Sequence, residues 1–151
     1  MKPRPPSRTR MLQRELVARL EEVEAVCLEL RAFLAANGLA ADSFAVELVA
    51  RECLNNAVIH GSRGQARKKV RLHLRLGRRW LRLQIADEGP GFNWRLASRS
   101  APEITATHRR GLSISNLYAD RVAFNRRGNQ ITLWMENRNT AKRHQHGNIH
   151  A

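Results

Sequence analysis

A chain of 151 residues with 42% apolar content has the length and hydrophobicity of one globular domain, which excludes disorder of the whole chain. It carries 27 Lys and Arg against 13 Asp and Glu, a net charge of +14, and this excess points first to a partner bearing phosphates, either nucleic acid or a nucleotide. Cys27 and Cys53 have no metal-ligand spacing and are too few for a disulfide framework. No stretch reaches the roughly 18 to 20 apolar residues of a membrane span, and the basic start MKPRPPSRTR has no apolar segment after it, so a reducing, cytoplasmic setting without membrane contact is expected.

Residues 1–10 hold three prolines and four cations around one apolar residue, and residues 138–151 are polar, with three cations and the histidines His144, His146 and His150. Both ends are expected to be flexible tails flanking a domain over residues 11–137, and together they carry half of the net charge. The tail histidines read as solvated side chains, because a polar terminus supplies no supporting groups for a metal site.

From Leu12 the apolar positions Leu16, Leu20, Val23, Cys27, Leu30 and Leu34 recur at steps of three and four, a helical stripe that stops at Asn37-Gly38, with an edge strand as the alternative for its first turn or two. Asp42 and Ser43 are N-cap types and open a second helix predicted to run to His60, with Gly61 as its stop. The period then changes to two. Val70, Leu72, Leu74 and Leu76 alternate with Lys69, Arg71, His73 and Arg75, Gly77-Arg78 makes a turn, and Leu81, Leu83 and Ile85 alternate with polar residues, which predicts a hairpin with one buried face. A loop-rich stretch to Arg110, a helix from Gly111 to Tyr118, and strands over 121–125 and 130–136 joined by a turn complete the chain. This order lacks alternating βαβ units. It predicts an α+β fold, a two-layer α/β sandwich in which helices cover one face of a mostly antiparallel mixed sheet and the other face meets water.

Three segments carry chemistry. Glu52, Asn56 and His60 are four apart and form one polar line on the second helix, where the adjacent Asn55 and Asn56 lower helix propensity and call for a compensating role. Asp87-Glu-Gly-Pro-Gly-Phe follows the strand ending at Ile85; it sets a carboxylate, able to accept from an exocyclic amine, beside Gly89 and Gly91, whose backbone tolerates close approach. In His108-Arg-Arg-Gly-Leu-Ser, Arg109 and Arg110 precede Gly111 at a helix start, so guanidinium groups and free N–H groups converge as a phosphate site requires. A solvated helix face, a surface turn and a basic loop would explain each segment taken singly.

Taken in order, Glu-x-x-x-Asn, Asp-x-Gly-x-Gly and a glycine-opened helix resemble the N box and the two glycine boxes of the histidine-kinase-like (GHKL) ATPase superfamily of gyrase, heat-shock chaperone, histidine kinase and mismatch-repair proteins. The span of about twenty residues between the glycine boxes, with ECLNNAVIHG, resembles the small bacterial anti-sigma-factor serine/threonine kinases of partner-switching systems. The resemblance covers about residues 12–137. It implies ATP and Mg2+ as cofactors, Asn56 as the Mg2+ ligand, Glu52 as general base, Asp87 on the adenine amino group, and Gly89 and Gly91 beside the nucleotide. It further implies that Gly111, Leu112 and Ser113 cradle phosphate, with a lid over about 93–110. Arg109 and Arg110 are assigned to phosphate from charge and position, and His60 either faces the pocket or ends the helix. Implied partners are an anti-sigma-factor antagonist as protein substrate, a sigma factor, and a second copy in a homodimer.

Ser113 departs from the Gly-x-Gly of the second glycine box and adds a Cβ where phosphate approaches, which predicts weaker nucleotide binding or a differently set lid. Two other readings stand beside the kinase. One is a stand-alone histidine-kinase-type catalytic module, which the absence of an evident dimerisation helix with an acceptor histidine disfavours. The other is a nucleic-acid binder using the hairpin, since residues 61–85 hold nine Lys and Arg and no acid, with Trp80 available for stacking; sparse aromatic interleaving makes nucleic acid the weaker reading, and an acidic protein or water the expected neighbour of that face.

Overall fold

The computed structural model describes residues 10–63, 65–92 and 118–137. Strand β1 (Arg10–Val17) is followed by helices α1 (Leu20–Ala36) and α2 (Ser43–Asn56), a π-helical turn (Ala57–Gly61), the hairpin β2 (Lys69–Leu76) and β3 (Trp80–Asp87), and the hairpin β4 (Arg121–Phe124) and β5 (Gln130–Glu136). The strands form one sheet in the order β1-β2-β3-β5-β4, and all four pairings are antiparallel rather than mixed. The fold is the expected α+β sandwich, with both helices packed on one sheet face.

The segment from Leu12 does not form the first turns of the helix, as its spacing predicts, but the alternative, an edge strand. Leu12 and Leu16 are four apart, a spacing that lies on one face at period 3.6 and at period 2 alike; pairing with β2 decides, Leu12 opposite Leu74 and Leu16 opposite Val70. Arg14 falls between them on the same face and forms an ion pair with Glu29 of α1. α1 therefore starts eight residues later than Leu12, at Leu20, with Glu21 and Glu22 in its first turn, where carboxylates suit the helix dipole. It ends as predicted at Asn37-Gly38: Gly38 N–H donates to Ala35 O at 3.1 Å and Leu39 N–H to Leu34 O at 2.8 Å, the Schellman pattern.

α2 begins at Ser43 with Asp42 in the N-cap position, but neither acts by capping. Asp42 makes no side-chain cap bond and Ser43 Oγ donates to Ala40 O at 2.7 Å instead. The predicted continuous helix to His60 changes winding after Asn56, where Ser62 N–H reaches back five residues to Ala57 O at 2.8 Å. A π-turn inserts one residue into the ladder and re-aims the side chains beyond it, here those of His60 and its neighbours.

The core lies between the helices and the inner sheet face. Val70, Leu72, Leu74, Leu81, Leu83, Ile85 and Leu133 point inward against Val23, Cys27, Leu30 and Leu34 of α1 and Val46, Val49, Ala50 and Leu54 of α2, all nearly fully buried. Cys27 is one of these packing residues: burial, reinforced by the charge of Glu47, pushes its thiol up to about 11, outside the range of a reactive thiolate. The Lys69, Arg71 and Arg75 side chains stay exposed on the other sheet face.

A buried carboxylate joins the two helices. Glu47, 6% exposed, accepts from Arg31 Nε and Nη2 at 2.8 Å each and from Arg51 Nη2 at 3.0 Å, and Arg51 also pairs with Glu24. Glu47→Gln keeps the shape and removes the charge that both guanidinium groups share. It is expected to lower unfolding stability by about 1 to 3 kcal/mol, read as a shifted denaturation midpoint in urea with an unchanged slope.

Candidate functional site

A cavity of about 300 Å³ opens at the end of the sandwich where α2 gives way to the π-turn. Its walls are the C-terminal half of α2, the π-turn, the end of β3 with the loop after it, and the β4–β5 turn. Cys53, Ala57, Ile85, Phe124 and Ile131 supply apolar surface, and Phe92 meets Phe124 edge to face with ring centroids 5.3 Å apart. Asn56, His60, Arg63, Asp87, Asn129 and Gln130 supply polar groups. An apolar slot with a few convergent polar groups is the usual form of a small-molecule site.

Asp87 ends β3 and is held on several sides. Its N–H donates to Asn129 O at 2.9 Å, and its Oδ1 accepts from Gly89 N–H at 2.7 Å. Gly61 packs directly on the carboxylate: a Cβ there would lie 2.4 Å from Asp87 Cγ, and a Cβ on Gly89 would lie 2.0 Å from Gly61 O. Burial raises the Asp87 pKa, opposed by the Gly89 N–H and more weakly by the charge of Lys68. The result is a fixed, partly desolvated acceptor at the cavity wall.

The loop after Asp87 is tied to the β4–β5 turn by two asparagines. Asn125 Oδ1 accepts from the N–H groups of Gly128, Asn129 and Gln130 at 2.9, 3.0 and 3.2 Å, and its Nδ2 donates to Asn129 Oδ1 at 2.6 Å. Asn129 Nδ2 then donates to Gly89 O at 3.3 Å and Asp87 O at 3.4 Å. Gly91, at φ +78°, fits because a Cβ would fall 1.8 Å from Arg127 O. The close approach predicted for Gly89 and Gly91 is thus already demanded by the chain's own backbone; Gly91 also lines the cavity, while Gly89 stands behind Asp87.

Asn56 and His60 both face this cavity, one from the end of α2 and the other from the π-turn. Asn56 Oδ1 is buried and has no hydrogen-bond partner among the described residues. A neutral, hard amide oxygen left without a donor is chemically suited to an oxygen-seeking cation such as Mg2+. Glu52, half-buried one turn earlier, is not among the residues lining the cavity. Arg109, Arg110, Gly111, Leu112 and Ser113, with the expected lid and the helix over 111–118 apart from Tyr118, lie outside the described residues.

Sequence reasoning misses Gly61, Arg63, Asn125 and Asn129 as site residues. Gly61 reads as a helix stop and the asparagines as turn residues, since nothing in their local pattern marks a tertiary contact. Arg63 has one available signal, its place just past a helix end; the structure puts it in a left-handed conformation, φ +50°, at the cavity.

The histidine kinase-like ATPase domain family matches residues 16–136, from within β1 to the last residue of β5. The chain belongs to this family, and membership makes it an ATP-binding module of the GHKL type. No curated protein matches the sequence. Among the described residues no helix is long and apolar enough to cross a membrane.

The state of Asp87 and its seating against Gly61 can each be tested. A carboxylic acid with a raised folded pKa stabilises the fold at low pH and loses that contribution as pH rises through the folded value. Asp87→Asn, whose amide oxygen still accepts from Gly89, is therefore expected to melt no lower than wild type at pH 7 while ATP binding falls at least about tenfold, measured by calorimetry. In wild type, ATP affinity is expected to weaken as pH drops through the Asp87 value, and this dependence should vanish in the asparagine variant. Gly61→Ala is expected to lose ATP affinity by displacing the carboxylate, whereas alanine at Gly77, on the far hairpin turn, should leave it unchanged in the same titration.

Proposed function

We propose that this chain is an ATP-dependent serine/threonine protein kinase acting as an anti-sigma factor, which phosphorylates a small anti-sigma-factor antagonist protein. The observation that carries the reading is the meeting of two unlike acceptors at one cavity: the desolvated carboxylate of Asp87 and the unpartnered amide oxygen of Asn56. Asp87 suits the exocyclic amine of adenine, with Ile85, Phe92, Phe124 and Ile131 as apolar surface for the ring. Asn56 suits the phosphate end. Serine/threonine specificity and the protein substrate are supported by ECLNNAVIHG and the short interval between glycine boxes.

In this reading Asn56 Oδ1 would hold Mg2+, which when bound supplies charge neutralisation at the β- and γ-phosphates. Glu52 takes the proton of the substrate hydroxyl. The hydroxyl oxygen forms its bond to the γ-phosphorus as the bond from that phosphorus to the β–γ bridging oxygen breaks, and ADP leaves with the bond's electrons. A carboxylate one helical turn from the proposed Mg2+ ligand can meet the nucleophile without competing for the metal. His60 and Arg63 contribute hydrogen-bonding capacity at the cavity, Arg63 as a cation at its exposed rim.

Glu52→Gln and Asn56→Ala separate the two roles. Glu52→Gln is expected to reduce phosphate transfer to a serine or threonine of the antagonist by about 10² to 10⁴, with ATP affinity within about threefold of wild type. Asn56→Ala is expected to remove the Mg2+-dependent part of ATP affinity in titrations with and without the metal. Transfer that survives Glu52→Gln undiminished, or acid-labile phosphate on a partner histidine, would overturn the assignment.

A further inference from the structure

The register of the sheet lines up one row of side chains across all five strands of its solvent face. Met11 stands opposite Arg75, Arg75 opposite Arg82, Arg82 opposite Trp134, and Trp134 opposite Arg121. With strands about 4.8 Å apart the row is about 19 Å long. Arg79 adds a further guanidinium at the hairpin turn, 5.6 Å from the ring of Trp80.

Charge on this face is compensated at one end only. Glu15 pairs with Lys69 at 2.8 Å and Arg71 at 3.0 Å, whereas among the described residues no carboxylate pairs with Arg75, Arg79, Arg82 or Arg121. Two further acids stand at this end of the sheet, Glu136 opposite Trp80 and Asp120, whose Oδ2 accepts from Glu136 N–H at 2.8 Å, and neither forms an ion pair among the described residues. Like charges directly opposite on one sheet face are destabilising, and Arg75 and Arg82 form such a pair with no carboxylate paired to either among the described residues. An anion laid over the row removes that repulsion.

We propose that the row Arg75–Arg82–Trp134–Arg121 is a docking surface for an acidic protein segment. The guanidinium of Arg121 lies over the indole of Trp134, 4.7 Å from the ring centroid, a cation–π contact that holds a group suited to bidentate capture of a carboxylate. The same contact disfavours single-stranded nucleic acid at Trp134, because a base would have to displace the chain's own arginine from that ring. Arg82 is five residues from Asp87 along β3, about 16 Å, and on the opposite sheet face, so this surface is separate from the nucleotide cavity and does not rest on the kinase reading.

The test is fluorescence anisotropy on the full chain with a labelled Glu-rich peptide and, separately, a single-stranded oligothymidylate of equal charge. The peptide is expected to bind with a salt-dependent affinity that ATP leaves unchanged. The double reversal Arg75→Glu and Arg82→Glu should weaken it at least about tenfold, as reversal of interfacial charges does, while Arg4→Glu with Lys142→Glu in the terminal segments should stay within about threefold. Arg82→Gln and Arg121→Ala, gentler changes, should each weaken peptide binding in the same direction if the reversal prevents folding. Absence of peptide binding, equal loss from terminal and sheet variants, or tighter binding of the oligonucleotide through the same arginines would overturn the proposal.

Discussion

The carboxylate of Asp87 is seated against the backbone of Gly61 with no room for another carbon between them, and much of the site is arranged around that contact. Asp87 ends the central strand β3; Gly61 ends the π-turn that continues α2. Bringing the two together joins the sheet to the helical layer at the cavity. Gly89 closes the contact from behind, its N–H on Asp87 Oδ1 and its α-carbon against Gly61 O. Asn129, itself held by Asn125, then fixes the loop by its two carbonyls. The acceptor is positioned by backbone packing rather than by a flexible side chain, which is how a site avoids ordering itself at the moment of binding.

Local rules are broken around this cavity more than elsewhere. A desolvated carboxylate, an arginine at positive φ, a π-turn and an amide oxygen with no described donor lie within one pocket. Each disfavours the folded chain by itself, and such departures gather where ligands bind. The opposing stabilisation comes from the apolar layer under α1 and α2 and from Glu47, which draws Arg31 and Arg51 together at a buried position away from the cavity. Membership in the histidine kinase-like ATPase family gives the cavity a reason to exist.

Much of this fold can be read from the sequence because its strongest signals are periodic. The alternation in Val70–Leu76 and Leu81–Ile85 is preserved in the burial of β2 and β3, and Asn37-Gly38 stops α1 where the left-handed glycine allows it. The start of α1 is ambiguous for a geometric reason, since a spacing of four satisfies both periods, and only the free edge of β2 selects the strand. Within the site, Asn56 and Asp87 stand out by residue type against their surroundings. Gly61 and Asn129 do not, because their importance lies in partners more than twenty residues away, and a glycine that stops a helix looks the same as one that seats a carboxylate.

Strand β3 carries both surfaces at once, and its register keeps them apart. Leu81, Leu83, Ile85 and Asp87 alternate inward, so the carboxylate comes after three core residues at the cavity end, while Trp80, Arg82, Gln84 and Ala86 alternate outward. A slip of one residue would exchange the faces: Asp87 would leave the pocket, Arg82 would enter the core, and three buried apolar side chains would meet water. The same hydrophobic burial that stabilises the sheet therefore specifies the nucleotide side and the cationic side together. The net charge of the chain acquires a structural meaning from this arrangement. On β2, Lys69 and Arg71 share the carboxylate of Glu15, while farther along the strand the row through Arg75, Arg82 and Arg121 lacks one among the described residues. That row lies toward the opposite end of β3 from Asp87, where its positive field is least able to act on the desolvated carboxylate.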